Sequence, residues 1–174
     1  MLLINLFGAP SAGKSTGAAY IFSRLKANGV NAELVTEFAK DKVWEESKEV
    51  FRNQAYIFGK QFFKISRCQD KVDVVVTDSP LLLSVFYDNN AVLGEEFATL
   101  VNKVFHSYDA LNYLLLRDKP YNPAGRFQTE SESDGMVESM RQLLKEFSVN
   151  YIERRGNFVE YDRIVSEVIE RLSM

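Results

Sequence analysis

The chain has 174 residues, 46 % hydrophobic and 26 % charged, with a formal net charge of −3. That is enough apolar material for a core, and it lacks the basic footprint of a broad, sequence-independent grip on nucleic acid, although local basic contacts remain open. The single cysteine, Cys68, excludes an internal disulfide and a cysteine-based metal cage, and no apolar run approaches the roughly 20 residues of a membrane span.

Met1-Leu2-Leu3-Ile4 carries no basic leader region, so the expected location is the cytoplasm, away from any membrane. Apolar runs then alternate with helical patterns along the chain, which predicts an α/β fold with a mostly parallel sheet. The first run predicts a strand over 2–7. It leads directly into Gly8-Ala9-Pro10-Ser11-Ala12-Gly13-Lys14-Ser15, followed by a helix over 14–27 that stops at Asn28-Gly29. The spacing is G-x-x-x-x-G-K-S. Gly8 and Gly13 permit backbone angles that a Cβ would block. Successive N–H groups of the loop, from Gly8 to Thr16, can then face phosphate oxygens at the positive end of the helix. Lys14 would reach the β- and γ-phosphates, and the Ser15 hydroxyl would sit on Mg²⁺. ATP with Mg²⁺ is therefore the expected ligand.

A second strand over 32–36 delivers Glu37 to its carboxyl end. A carboxylate there can accept a proton from an attacking hydroxyl or orient it. Asp41 competes less strongly for the same role. A long aromatic helix over 50–69 follows. Its Gln54 has the donor and acceptor needed to read a nucleobase edge, while Phe38, Trp44, Tyr56 and Phe58 offer faces for stacking. Its aromatic residues cannot all point one way, so one side is expected on the sheet and another at a cleft.

The third strand, over 72–77, is the buried pattern Val74-Val75-Val76 and ends at Asp78 before Pro80. Asp78 can help to hold Mg²⁺ or cap the next helix, and the two roles can coexist. Beyond a helix over 95–106, whose end carries His106 as a surface or capping residue, a fourth strand over 111–116 delivers Arg117. The stretch from Asp118 to Glu130 holds Pro120, Asn122, Pro123 and Gly125, so a mobile lid is expected over about 117–130. Arg126 is its best candidate for closing over the transferred phosphate, and Arg117 is expected to touch adenine or the phosphates. The acidic run Glu130-Ser131-Glu132-Ser133-Asp134 suits the start of a helix over 131–147. A strand over 151–153 and a helix over 162–172 complete one domain, 1–174, a three-layer sandwich around a parallel five-stranded sheet.

The order of these segments resembles a family of small phage-encoded P-loop kinases. The resemblance rests on the phosphate loop, Val35-Thr36-Glu37-Phe38-Ala39-Lys40-Asp41, Asn53-Gln54, Thr77-Asp78-Ser79-Pro80-Leu81, and Arg117 through Lys119-Pro120-Tyr121-Asn122-Pro123 to Arg126 and Gln128-Thr129-Glu130. Some members look like 5-hydroxymethyluridine DNA kinases, which phosphorylate the hydroxymethyl group of a modified base in phage DNA. A fainter likeness extends to ribosylnicotinamide and deoxynucleoside kinases. The resemblance implies Glu37 as base and Gln54 as reader of the acceptor base; Phe38 and Tyr56 are expected to contact the same substrate on the strength of their aromatic faces. The chain has Asp78-Ser79-Pro80 where deoxynucleoside kinases have Glu-Arg-Ser.

The expectation is an ATP- and Mg²⁺-dependent kinase in which Lys14, Glu37, Asp78 and Arg126 act in transfer and Ser15 and Asp78 hold the metal. The expected acceptor is a hydroxymethylated pyrimidine in DNA. The alternatives are a free nucleoside or nucleotide, and an ATPase with no acceptor. No obligate protein partner is evident.

Overall fold

The computed structural model describes residues 1–38, 48–88, 93–121 and 129–173. The chain forms β1 (Leu2–Phe7), α1 (Lys14–Ala27), β2 (Ala32–Val35), a 3-10 turn (Lys48–Arg52) and α2 (Gln54–Ser66). It continues through β3 (Val74–Thr77), α3 (Leu83–Phe86), α4 (Gly94–Phe105), β4 (Asp109–Leu116), α5 (Glu130–Glu146), β5 (Ile152–Arg155) and α6 (Phe158–Ser173). The five strands are all parallel and lie in the order β2-β3-β1-β4-β5.

Parallel strands covered on both faces need unbroken apolar runs, and β1 and β3 supply them. Every residue of both strands is buried. The period of two sends Leu2, Ile4 and Leu6 to one side, where they pack with Ile21 and Leu25 of α1 and Ile164 and Val168 of α6. Leu3 and Phe7 face the other side, against Ile65 of α2, Phe97 and Val101 of α4, and Met140 and Leu144 of α5. Each such side chain contributes about 1.5–3 kcal/mol by leaving water. The result is a helix–sheet–helix sandwich.

The topology fixes where a ligand can lie. The chain goes outward from β1 to β2, returns to β3 beside β1, and then crosses to β4 on the far side of β1. Strand order therefore reverses at the carboxyl end of β1, which is where open α/β sheets form a crevice.

Three differences from the sequence expectation stand out, beside shifts of one to three residues at the ends of β3, β4, β5 and α2. The predicted helix over 50–69 is split, because the Asn53 side chain accepts from Tyr56 N at 3.0 Å and caps α2 at Gln54. The last helix starts at Phe158 and not at Asp162. There Asn157 Oδ1 accepts from Glu160 N at 3.0 Å, and the exposed Phe158 and Val159 hide the amphipathic start. The short α3 follows Pro80 without an anticipated signal. His106 ends α4, with its Nε2 2.9 Å from the Phe147 carbonyl oxygen.

Candidate active site

The loop from Gly8 to Ser15 links β1 to α1 at the carboxyl edge of the sheet. It needs glycine at both ends. Gly8 has φ 150° and Gly13 has φ 91°, and Ser11 also adopts the left-handed region with φ 69°. A Cβ on Gly8 would lie 2.7 Å from the Leu115 carbonyl oxygen, and one on Gly13 would lie 2.4 Å from the Tyr161 hydroxyl. Gly13 supplies no side-chain cap to α1, and the first N–H groups of a helix have no acceptor within it. This end of α1 therefore presents donors to an anion.

The carbonyls of the loop are held from behind. Ser133 Oγ, buried in the first turn of α5, donates to Pro10 O at 2.7 Å. Tyr161 Oη, on α6, donates to Gly13 O at 3.0 Å, and Gly17 N donates to the same oxygen at 2.8 Å. Within a planar trans peptide the C=O and the next N–H point in opposite directions. Fixing these two carbonyls therefore fixes the N–H groups of Ser11 and Lys14 the other way. Burial, and secondarily the Asp118 carboxylate, push the Tyr161 hydroxyl up to about 12, so it stays a donor near neutrality. Lys14 Nζ reaches back across the loop to Gly8 O at 2.6 Å and Ala9 O at 3.3 Å. Ser15 and Thr16 are exposed on the first turn of α1.

Asp78 follows β3 and Glu37 lies two residues past the end of β2, the next strand. The fold joins them: Glu37 N donates to Asp78 Oδ1 at 3.0 Å, and Asp78 is only 3 % exposed. Asp78 does not cap α3, whose N-cap is Leu82. Two further side chains from α2 reach the same segment, Gln61 to Phe38 N at 3.2 Å and Lys64 to Thr36 O at 2.8 Å. Tyr87, just after α3, is pushed up to about 12 by burial and, less strongly, by the negative charge of Glu37. A protonated phenol thus lies within the field of the carboxylate.

Phe38 and Tyr56 meet edge to face with ring centroids 5.6 Å apart, and Lys60 lies 5.4 Å over the Tyr56 ring. Gln54 is buried at the start of α2, and its Nε2 donates to Phe51 O at 3.0 Å. Arg117, beyond β4, forms ion pairs with Glu130 at 3.2 Å and with Asp134, and its guanidinium lies over the Tyr121 ring. The acidic start of α5 thus occupies the expected nucleotide-binding arginine. Arg126 lies outside the described residues, as do Trp44, Asp41 and residues 122–128, where a lid was expected.

Sequence reasoning missed Ser133, Tyr161, Tyr87 and Gly156, the last packed so close to the loop that a Cβ there would lie 2.0 Å from the Ala12 carbonyl oxygen. One signal pointed to Tyr161. Gly17 sits inside α1, where glycine costs about 1 kcal/mol against alanine, and a Cβ there would come 2.7 Å from the Tyr161 ring. Close helix packing is what that glycine permits. The other three residues have partners too distant in sequence to leave a local mark.

Comparison with known proteins agrees with this architecture. The pattern of the family described as "AAA domain" matches residues 3–160. No curated protein sequence matches significantly. Among solved structures, the chain is similar to the deoxyadenosine kinase from M. mycoides with bound dATP, with a TM-score of 0.56 and 18 % identity over 99 % of this chain and 100 % of that one. At that identity the likeness is one of fold.

Proposed function

Because the chain belongs to the AAA-domain family, whose pattern spans residues 3–160, we propose that it is an ATP-dependent kinase transferring the γ-phosphoryl group to the hydroxyl of a nucleoside. The observation that carries this reading is the joining of Glu37 to Asp78 at 3.0 Å, one strand away from the phosphate loop. A binding module has no use for a buried carboxylate that orients the backbone of a second one beside a phosphate site.

In this reading the N–H groups at the start of α1 and the Lys14 ammonium bind the triphosphate. Ser15 and Asp78 would hold Mg²⁺, which offsets phosphate charge when bound. That donor set suits Mg²⁺, which keeps several waters and takes one or two protein oxygens plus phosphate. Glu37 takes the proton of the acceptor hydroxyl as its oxygen attacks the γ-phosphorus and the bond to ADP breaks, a contribution of about 10²–10⁴-fold. Phe38 and Tyr56 stack on the acceptor base, and Gln54 reads its edge. Arg126 serves the nucleotide from the lid, whereas Arg117 is engaged by Glu130 and Asp134.

A free nucleoside is favoured by the net charge of −3 and by the fold shared with a deoxyadenosine kinase. The motif order favours a second acceptor, the hydroxymethyl group of a modified pyrimidine in DNA. Transfer of label from γ-labelled ATP separates them. Deoxynucleosides and hydroxymethyluracil-containing duplex DNA are offered in parallel. Label on nucleosides supports the first acceptor, label on DNA alone supports the second, and steady phosphate release with label on neither overturns the kinase reading.

A further inference from the structure

Three consecutive residues around Glu37 are each held by a different side chain. Thr36 O accepts from Lys64 Nζ at 2.8 Å, Glu37 N donates to Asp78 Oδ1 at 3.0 Å, and Phe38 N donates to Gln61 Oε1 at 3.2 Å. The strand β2 has already ended at Val35, so no sheet ladder fixes these residues. Lys64 and Gln61 are three apart on α2 and share one face.

Gln61 differs from the other two. It is only 2 % exposed, and nothing in the transfer chemistry uses it. Its amide spans two elements. While Oε1 takes the Phe38 N–H, Nε2 donates to Thr77 Oγ1 at 3.2 Å, at the end of β3 and next to Asp78. Thr77 Oγ1 also accepts from Ser79 N at 3.1 Å, so the residues on both sides of Asp78 belong to the same network. The Phe38 N–H can only donate, so the amide oxygen must face it and the NH₂ must face Thr77. A side chain of this length with an acceptor at one corner and a donor at the other is what the position requires. Burial makes a lost partner costly.

We propose that Gln61 is a positioning residue for phosphoryl transfer. It ties the backbone after Glu37 to the end of β3, and so sets the direction in which the Glu37 carboxylate projects relative to Asp78. This rests on the reading of Glu37 as the base. Displacing a reacting group by about 1 Å can cost about 100-fold in rate, which is the scale on which such a tether matters.

Gln61→Leu removes both hydrogen bonds at similar volume, and Gln61→Met serves if the leucine variant is too unstable to assay. Two readouts apply. In the free protein, hydrogen exchange at the Phe38 amide should quicken while the Val75 and Val76 amides of β3 keep wild-type protection. In label transfer from ATP to deoxynucleosides or hydroxymethyluracil duplex, kcat should fall about 10- to 100-fold, with KM for ATP unchanged. In a Glu37→Gln background the same substitution should add no more than about a two-fold loss, because the group it positions is gone. An equal kcat loss in both backgrounds, or an unchanged kcat in the wild-type background, overturns the positioning role and leaves the kinase reading standing. A wild-type kcat for Glu37→Gln alone removes the base, and this role with it, even if Phe38 exchange still quickens.

Discussion

Tyr161 and Gly13 lie 148 positions apart and meet through one hydrogen bond of 3.0 Å, from the phenol to the carbonyl that opens α1. The last helix thus fixes the Gly13 carbonyl and, through the planar peptide, the direction of the Lys14 N–H. Tyr161→Phe keeps the ring against Gly17 and removes only this donor. It should cost about 0.5–1.5 kcal/mol of stability and weaken MgATP binding several-fold, read by calorimetric titration. Because burial holds the phenol up to about 12, the loss should be the same at pH 6 and pH 9. Unaltered affinity would mean that the loop keeps its shape without α6.

Two glycines should respond to alanine with opposite signs. A Cβ on Gly156 would lie 2.0 Å from the Ala12 carbonyl oxygen, so Gly156→Ala must displace backbone of the phosphate loop. Overpacking of that kind costs about 1–3 kcal/mol, and nucleotide affinity should fall with it. Gly135, inside α5, has nothing within 4 Å of its Cβ position. Gly135→Ala should stabilise by up to about 1 kcal/mol and leave nucleotide binding unchanged. Chemical denaturation of the two variants reads both signs.

Lys14→Ala should abolish transfer and leave the fold intact. Asp78→Asn keeps an oxygen for the Glu37 N–H, so melting should change little while transfer falls about 100-fold or more through the lost charge. Glu37→Gln should lower kcat more than it weakens ATP binding. An Asp78→Asn enzyme of wild-type rate would remove that carboxylate from the mechanism.

The acid limb of stability should report the cap of α5. Thr129 N donates to Glu132 Oε2 at 2.6 Å and the Thr129 hydroxyl donates to it at 2.8 Å. These bonds, the backbone one first, hold the Glu132 carboxyl below its usual range. A depressed folded-state value means that the contribution is complete above the unfolded value and is lost as pH falls through the folded one. Glu132→Gln keeps the acceptor without the charge. The melting gap between wild type and this variant should therefore be constant near neutrality and close below about pH 4. A gap of undiminished size at pH 3 would show that the charge contributes nothing.

The sheet edges that carry the candidate site were legible because each is announced locally. The Gly8–Ser15 spacing, the apolar run ending at Asp78 and the run ending at Glu37 are all short-range signals. Their junction was not legible, since the order β2-β3-β1 that brings Glu37 N to Asp78 is a tertiary fact. Ser133 illustrates the same limit. Its place in an acidic run correctly announced a helix start, but its bond to Pro10 spans 123 positions. Arg117 was visible as a basic residue at a strand end, and Glu130 and Asp134 as helix-start charges. Only folding showed that they pair. The start of α6 was misplaced because Phe158 and Val159 are apolar yet exposed, which blurs the 3.6-residue pattern.

The decisive experiment is a crystal structure with Mg²⁺ and a non-hydrolysable ATP analogue. The β- and γ-phosphates should lie within the Gly8–Ser15 loop, with Lys14 moved from the Gly8 carbonyl onto them and the Asp78 and Glu37 carboxylates facing the γ-phosphate. A loop without phosphate, or carboxylates directed away from it, would mean that this chain is not the kinase proposed.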